Sequence, residues 1–180
     1  MSGEVREVSL RIGQFYFGSG YIKIRTLLGS CVSIVMWHPR LRVGGMCHYL
    51  LPRRGSCGIA IAAPEGNYAE GAMELFMHEL RNNGTRPSEY IVKLFGGGCM
   101  FVDSKDSQRP FSDIAALRTD VREISTRNVV AGKELLSKHG FNISAENTGG
   151  VGSRTVVFEL WSGDVWIRRG NALGTNGTPA

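Results

Sequence analysis

Apolar and polar positions alternate through Val8, Leu10 and Ile12 within Val5–Phe17, the period-two pattern of a half-buried strand, and Gly18-Ser19-Gly20 breaks the run. Tyr21 to Leu28 reads as a second strand and feeds the turn Gly29-Ser30-Cys31. Two apolar, β-prone runs follow, Val32 to Trp37 and Val43 to Leu51, with Pro39-Arg40 between them as a tight turn. The period then changes. Tyr68, Ala72, Met73, Phe76, Met77 and Leu80 recur at three- and four-residue steps, which predicts a helix that Asn83-Gly84 stops. Tyr90 to Phe95 is a short buried strand ending in Gly96-Gly97-Gly98.

Between these elements, Pro52 to Gly66 is rich in Gly, Arg, Pro and Ala and reads as a loop crossing the sheet. Val102 to Glu123 is polar and reads as a surface insertion or mobile loop. Ser125 or Thr126 is positioned to cap a second helix that runs to about His139, with Gly140 as its terminator. Three strands complete the chain: Asn142–Glu146, then Arg154–Trp161 and Asp164–Arg169 joined at Ser162-Gly163. The whole predicts one domain over residues 1–170 and a disordered Gly-, Asn- and Thr-rich tail over 171–180. Strands outnumber helices and parallel crossover units are few. The expected class is therefore α+β, a sandwich of mixed, mostly antiparallel β-sheet covered by two main helices, rather than a doubly wound fold.

Composition narrows the function classes. The 180 residues are 42% apolar and 21% charged, ordinary for a globular protein with its own core. No long apolar stretch suggests a signal peptide or membrane span, so the expected compartment is the cytoplasm, without membrane insertion. The net charge of +5 is spread along the chain, and Arg53-Arg54 and Arg168-Arg169 are the only adjacent arginine pairs. Such pairs suit solvated loops and strand ends better than a nucleic-acid stripe, and no nucleic-acid partner is expected. Cysteines stand at 31, 47, 57 and 99 without Cys-x-x-Cys spacing, which favours free thiols.

Cys31 stands apart from the other thiols. Cys47 and Cys99 suit inert core positions and Cys57 a loop, whereas Cys31 sits where a glycine-containing turn enters an apolar strand, so the backbone N–H groups of Ser30 and Cys31 can turn towards a developing oxyanion. A two-residue loop at Pro39-Arg40 sets Cys31 directly opposite His48, and opposed side chains in such a ladder have Cβ atoms roughly 4.5–5.5 Å apart. An imidazole at that distance can take a proton from a thiol, and the resulting imidazolium would stabilise a thiolate near neutral pH. By spacing alone, a packing role for the pair is about as frequent as a catalytic one.

Thr26, on the strand leading to Cys31, is the nearest hydroxyl able to orient the imidazole, although strand propensity explains a threonine there equally well. His38 lies at the turn, and His78 and His139 fall in helices. The Cys and His spacing disfavours zinc, and the glycine clusters at 96–98 and 149–152 lack the Lys-Ser/Thr of a phosphate-binding loop. No metal or organic cofactor is expected.

The ordered motifs resemble a known family. Thr26-Leu27-Leu28-Gly29-Ser30-Cys31-Val32, Val43-Gly44-Gly45-Met46-Cys47-His48 and Leu51-Pro52 are similar to the signature of CheD, the chemoreceptor glutamine deamidase of bacterial chemotaxis. Asn67-Tyr68-Ala69, Leu94 to Phe101, Arg127-Asn128-Val129, Ala145 to Gly150 and Arg154 follow in that family's order, so that the likeness covers most of residues 10–169. It implies a cysteine amidohydrolase that converts receptor glutamines to glutamates, with Cys31 as nucleophile, His48 as base and Thr26 as third member. Chemoreceptor cytoplasmic helices are the implied substrate and a CheC-type phosphatase an implied partner. Long helices as substrates call for an open, shallow mouth, with Phe95, Met100 and Tyr68 as candidate walls. The alternative class is a non-catalytic binding module that engages receptors or CheC.

Overall fold

The computed structural model describes residues 4–55, 64–100 and 112–170. Its strands are β1 (Arg6–Leu10), β2 (Phe15–Ser19), β3 (Ile22–Leu28), β4 (Val32–His38), β5 (Val43–Cys47), β6 (Ile91–Gly96), β7 (Ile143–Thr148), β8 (Arg154–Glu159) and β9 (Asp164–Arg169). The helices are α1 (Ala69–Asn82) and α2 (Ser112–Lys138), with short 3-10 turns at Glu65–Asn67 and Pro87–Glu89.

The strands form two sheets, β1-β3-β8-β9 and β2-β5-β4-β6-β7. The pairs β1–β3 and β6–β7 are parallel and the rest antiparallel, which bears out the mixed, mostly antiparallel sandwich. Both helices pack on one face of the five-stranded sheet. Val32, Ile34, Met36, Cys47, Tyr49, Phe76 and Leu136 form the core on that face. Its other face meets the four-stranded sheet through Ile24, Leu28, Cys31, Val35, Met46, Phe95 and Phe158. The β4 strand is therefore buried on both faces, which is why its sequence is a nearly continuous apolar run instead of an alternating one.

Four expectations from sequence need correction. The opening segment is two strands rather than one: Gly13 at φ 79° turns the chain between β1 and β2, which belong to different sheets, and Gly18 and Ser19 lie inside β2. The β4–β5 loop holds four residues, because His38 pairs with Val43 and Arg42 at φ 52° closes the turn. The loop between β8 and β9 is also longer than two residues, since Glu159 pairs with Asp164. Finally, α2 starts at Ser112, well before the expected caps. Ser125 and Thr126 lie inside it, where the Ser125 hydroxyl donates to the Gly98 carbonyl and the Thr126 hydroxyl to that of Arg122 one turn back. The remainder of the expected insertion, residues 102–111, lies outside the described residues, as do Cys57 and the 171–180 tail.

Elsewhere the helix and strand readings hold. Helix α1 ends as its pattern predicts, with Gly84 at φ 62° and the Thr85 N–H donating to the Leu80 carbonyl.

Candidate active site

The hairpin register differs from the expected one and keeps Cys31 and His48 on one face of the sheet. Met36 faces Gly45 and Val32 bridges to Tyr49, so His48 stands across from Ser33 instead of Cys31. The displacement is by two residues, and a shift of two keeps each side chain on its face. Cys31 and His48 both remain on the face that meets the four-stranded sheet.

Thr26 reaches His48 from that facing sheet. On β3 it pairs with Leu10 and Val156, and its Oγ1 lies 2.8 Å from His48 Nδ1 and 2.9 Å from the Leu10 carbonyl oxygen. A carbonyl oxygen only accepts, so the single hydroxyl proton of Thr26 goes to Leu10 and Oγ1 must accept from His48 Nδ1–H. The tautomer is thereby fixed, with the lone pair on Nε2. That atom is buried without a hydrogen-bond partner, as is the Ser33 hydroxyl across the ladder. Thiol and imidazole are thus not hydrogen-bonded to each other at rest.

Burial sets the protonation states. The Cys31 thiol is pushed up to about 11 by desolvation, against weaker opposing pulls from its own backbone N–H and the Ser30 side chain. His48 is pushed down to about 4 by the same cause, with a small opposing pull from the Leu10 carbonyl. The resting pair is therefore neutral thiol and neutral imidazole, and the expected thiolate stabilised by imidazolium is not its ground state. Cys47 lies on the helix side, its sulfur accepting from the Ile34 N–H at 3.4 Å and its thiol pushed up to about 12 by burial, as suits a core residue. Cys31, Cys47 and Cys99 are all free.

The turn carrying Cys31 is held from three sides. The Gly97 N–H donates to the Cys31 carbonyl and the Gly98 N–H to the Gly29 carbonyl, both at 2.8 Å. Gly96 must be glycine: it sits at φ 114°, and a Cβ there would lie 2.1 Å from the Cys31 carbonyl oxygen. Asn128 on α2 donates through Nδ2 to the Ser30 carbonyl at 3.2 Å and the Leu50 carbonyl at 2.7 Å. Arg154 braces the next loop outward, donating to the Asn147 carbonyl, to Asn147 Oδ1 and to the Gly149 carbonyl, while the Cys99 N–H donates to the Gly150 carbonyl and the Cys99 carbonyl accepts from the Gly152 N–H. Sequence reading gave Asn128 and Arg154 no role, since an amide inside a helix and an arginine opening a strand have no local signature of what they hold.

Of the candidate walls, Phe95 packs in the same cluster as Cys31, and Met100 lies over Gly29. Tyr68 is buried with the Arg54 guanidinium 5.5 Å from its ring centroid. Cys31 itself is only 7% exposed and Phe95 3%, a more buried setting than the expected shallow mouth. Among the described residues no group of three or more His, Cys, Asp or Glu side chains could hold a metal, and no helix is long and apolar enough to cross a membrane.

A thiol and an imidazole on one sheet face, with the imidazole's second nitrogen held by a hydroxyl from the facing sheet, make up the side-chain set of a thiol-dependent hydrolase. The chain belongs to the CheD family: residues 50–169 match the model for CheD chemotactic sensory transduction. Relatives named probable chemoreceptor glutamine deamidase CheD extend the likeness across the site. One from Dechloromonas aromatica is 43% identical over 91% of this chain and 88% of its own length. Another from Pseudomonas fluorescens is 40% identical over 90% and 84%, and one from Leptospira interrogans 39% identical over 92% and 93%. Among solved structures, Bacillus licheniformis hypothetical protein YfiH matches at a TM-score of 0.42 and 13% identity, over 76% of this chain and 49% of that one.

Proposed function

We propose that this protein is a chemoreceptor glutamine deamidase that hydrolyses selected glutamine side chains to glutamate and releases ammonia. The observation that carries the mechanism is the Thr26–His48 contact: with the Thr26 proton committed to Leu10, His48 presents an unprotonated Nε2 on the face that holds Cys31.

The substrate carboxamide enters between the Cys31 sulfur and His48 Nε2. Because the resting pair is neutral, His48 removes the thiol proton as the sulfur attacks the amide carbon, and the N–H groups of Ser30 and Cys31 receive the oxyanion. Protonated His48 then gives that proton to the leaving nitrogen, and ammonia departs from a Cys31 thioester. Water activated by the regenerated imidazole attacks the thioester carbon, forming glutamate and restoring the thiol. Each cycle returns the enzyme unchanged, so glutamine and water are the only reactants.

This reading places the reaction in the cytoplasm, on chemoreceptor helices, with a CheC-type phosphatase as a second partner in keeping with the family resemblance. The test is incubation with chemoreceptor cytoplasmic fragments and mass spectrometric mapping of amide-to-acid conversion. Conversion is expected with the native chain and absent with Cys31→Ala and with His48→Ala; conversion retained by either variant overturns the assignment. A pure binding module would retain receptor association in a native chain that converts nothing.

A further inference from the structure

Asn128 is fully buried on α2, and its side chain touches the two chain segments that carry the reactive pair. Its amide donates to the carbonyl of Ser30, the residue before Cys31, and to the carbonyl of Leu50, two residues after His48. Both partners are carbonyl oxygens, which accept only, so the amide nitrogen must face them. The Asn128 backbone carbonyl in turn accepts from the Tyr49 hydroxyl at 2.8 Å, which ties the helix to the same segment a second time.

The Ser30–Cys31 peptide is trans, and in a trans peptide the C=O and N–H point in opposite directions. Holding the Ser30 carbonyl against α2 therefore aims the Cys31 N–H away from the helix. No backbone carbonyl among the described residues accepts that N–H. The preceding peptide is governed in the same way: the Gly98 N–H holds the Gly29 carbonyl and so fixes the direction of the Ser30 N–H. Two consecutive donors are thus aimed through the carbonyls of the residues before them, Gly29 held by a glycine backbone and Ser30 by a side chain.

We infer that Asn128 is the positioning residue of the oxyanion site, acting through the Ser30 carbonyl to orient the Cys31 N–H towards the amide oxygen of the bound glutamine. This rests on the deamidase reading and extends it. Asn128 does not touch the substrate, moves no proton and leaves the Thr26–His48 contact in place.

The test uses a reaction that needs the thiol without the oxyanion. Alkylation of Cys31 by iodoacetamide displaces iodide and builds no negative oxygen, whereas deamidation does. Asn128→Asp preserves shape and replaces the two N–H donors with a carboxyl group. It is expected to lower kcat for receptor-fragment deamidation by about 10²-fold, as the loss of an oxyanion donor does, with KM changed less than threefold or so. Cys31 alkylation at mildly alkaline pH, read by peptide mapping, is expected to stay within about twofold of native. If Asn128→Asp does not fold, Asn128→Ser, which keeps one neutral donor, is read by the same two rates, with a smaller but still selective loss of kcat expected. A kcat within about twofold of native in the folded variant overturns the inference, and so does a parallel fall in deamidation and alkylation. Failure of the underlying reading is separately visible, because in that case the native chain would convert nothing or Cys31→Ala would still deamidate.

Discussion

Thr26 and His48 meet at 2.8 Å across the seam between the two sheets, and the threonine can only accept, because its own proton belongs to Leu10. This one contact decides which imidazole nitrogen carries the free lone pair.

Replacing Thr26 with Val keeps the shape and deletes the acceptor. His48 Nδ1–H and the Leu10 carbonyl lose their partner, at a cost of about 1–3 kcal/mol in stability. The tautomer is also released, and deamidation should fall by about 10²-fold. Thr26→Ser keeps the hydroxyl and should remain within a few-fold of native. Urea midpoints and kcat for the two variants check both statements; equal loss in Ser and Val variants would contradict them.

The depressed His48 predicts an acid-side loss of stability. Between pH 6.5 and about 4 the unfolded chain binds a proton at this ring that the folded chain refuses. Stability from this group is therefore complete above the unfolded value and declines as the pH falls towards 4, by on the order of 3 kcal/mol. His48→Gln should flatten this part of the stability profile, measured as urea midpoints across the range. A slope unchanged by the substitution would show that the ring titrates normally.

Thiol chemistry should follow the raised Cys31 value. With the thiol pushed up to about 11, its alkylation should be slower than that of a free cysteine at neutral pH and climb steadily on the alkaline side. Cys47, pushed to about 12 and 1% exposed, should lag behind it throughout. Peptide-mapped alkylation rates against pH test the order. A Cys31 plateau below neutrality would mean a resting thiolate–imidazolium pair.

Gly96→Ala should damage fold and site together. The added carbon collides with the Cys31 carbonyl at a backbone angle that disfavours L-residues, and a loss of at least about 2 kcal/mol is expected. Chemical denaturation measures it, and a variant as stable as native would refute the close approach.

The sequence carries the shared face of Cys31 and His48 but not the contacts around it, and particular residues show why. The face shared by Cys31 and His48 follows from strand alternation, and it survived a loop two residues longer than expected because a shift of two preserves faces. The extra residues were invisible because Arg42 adopts a positive φ without being the glycine that would advertise it. The early start of α2 was missed although Ile114, Leu117, Val121 and Ile124 recur at three- and four-residue steps, because the charged residues between them and the preceding polar stretch with Pro110 read as a loop. Asn128 lay beyond reach for another reason: its partners are carbonyls 98 and 78 residues away, and no local pattern encodes contacts of that range.

The strand that carries Thr26 is paired along its length with β8, which is contributed by residues 154–159. A chain still being synthesised thus holds its sulfur and its ring long before it can complete the layer that locks the ring in place. The support around that ring is finished only when the last hairpin has left the ribosome.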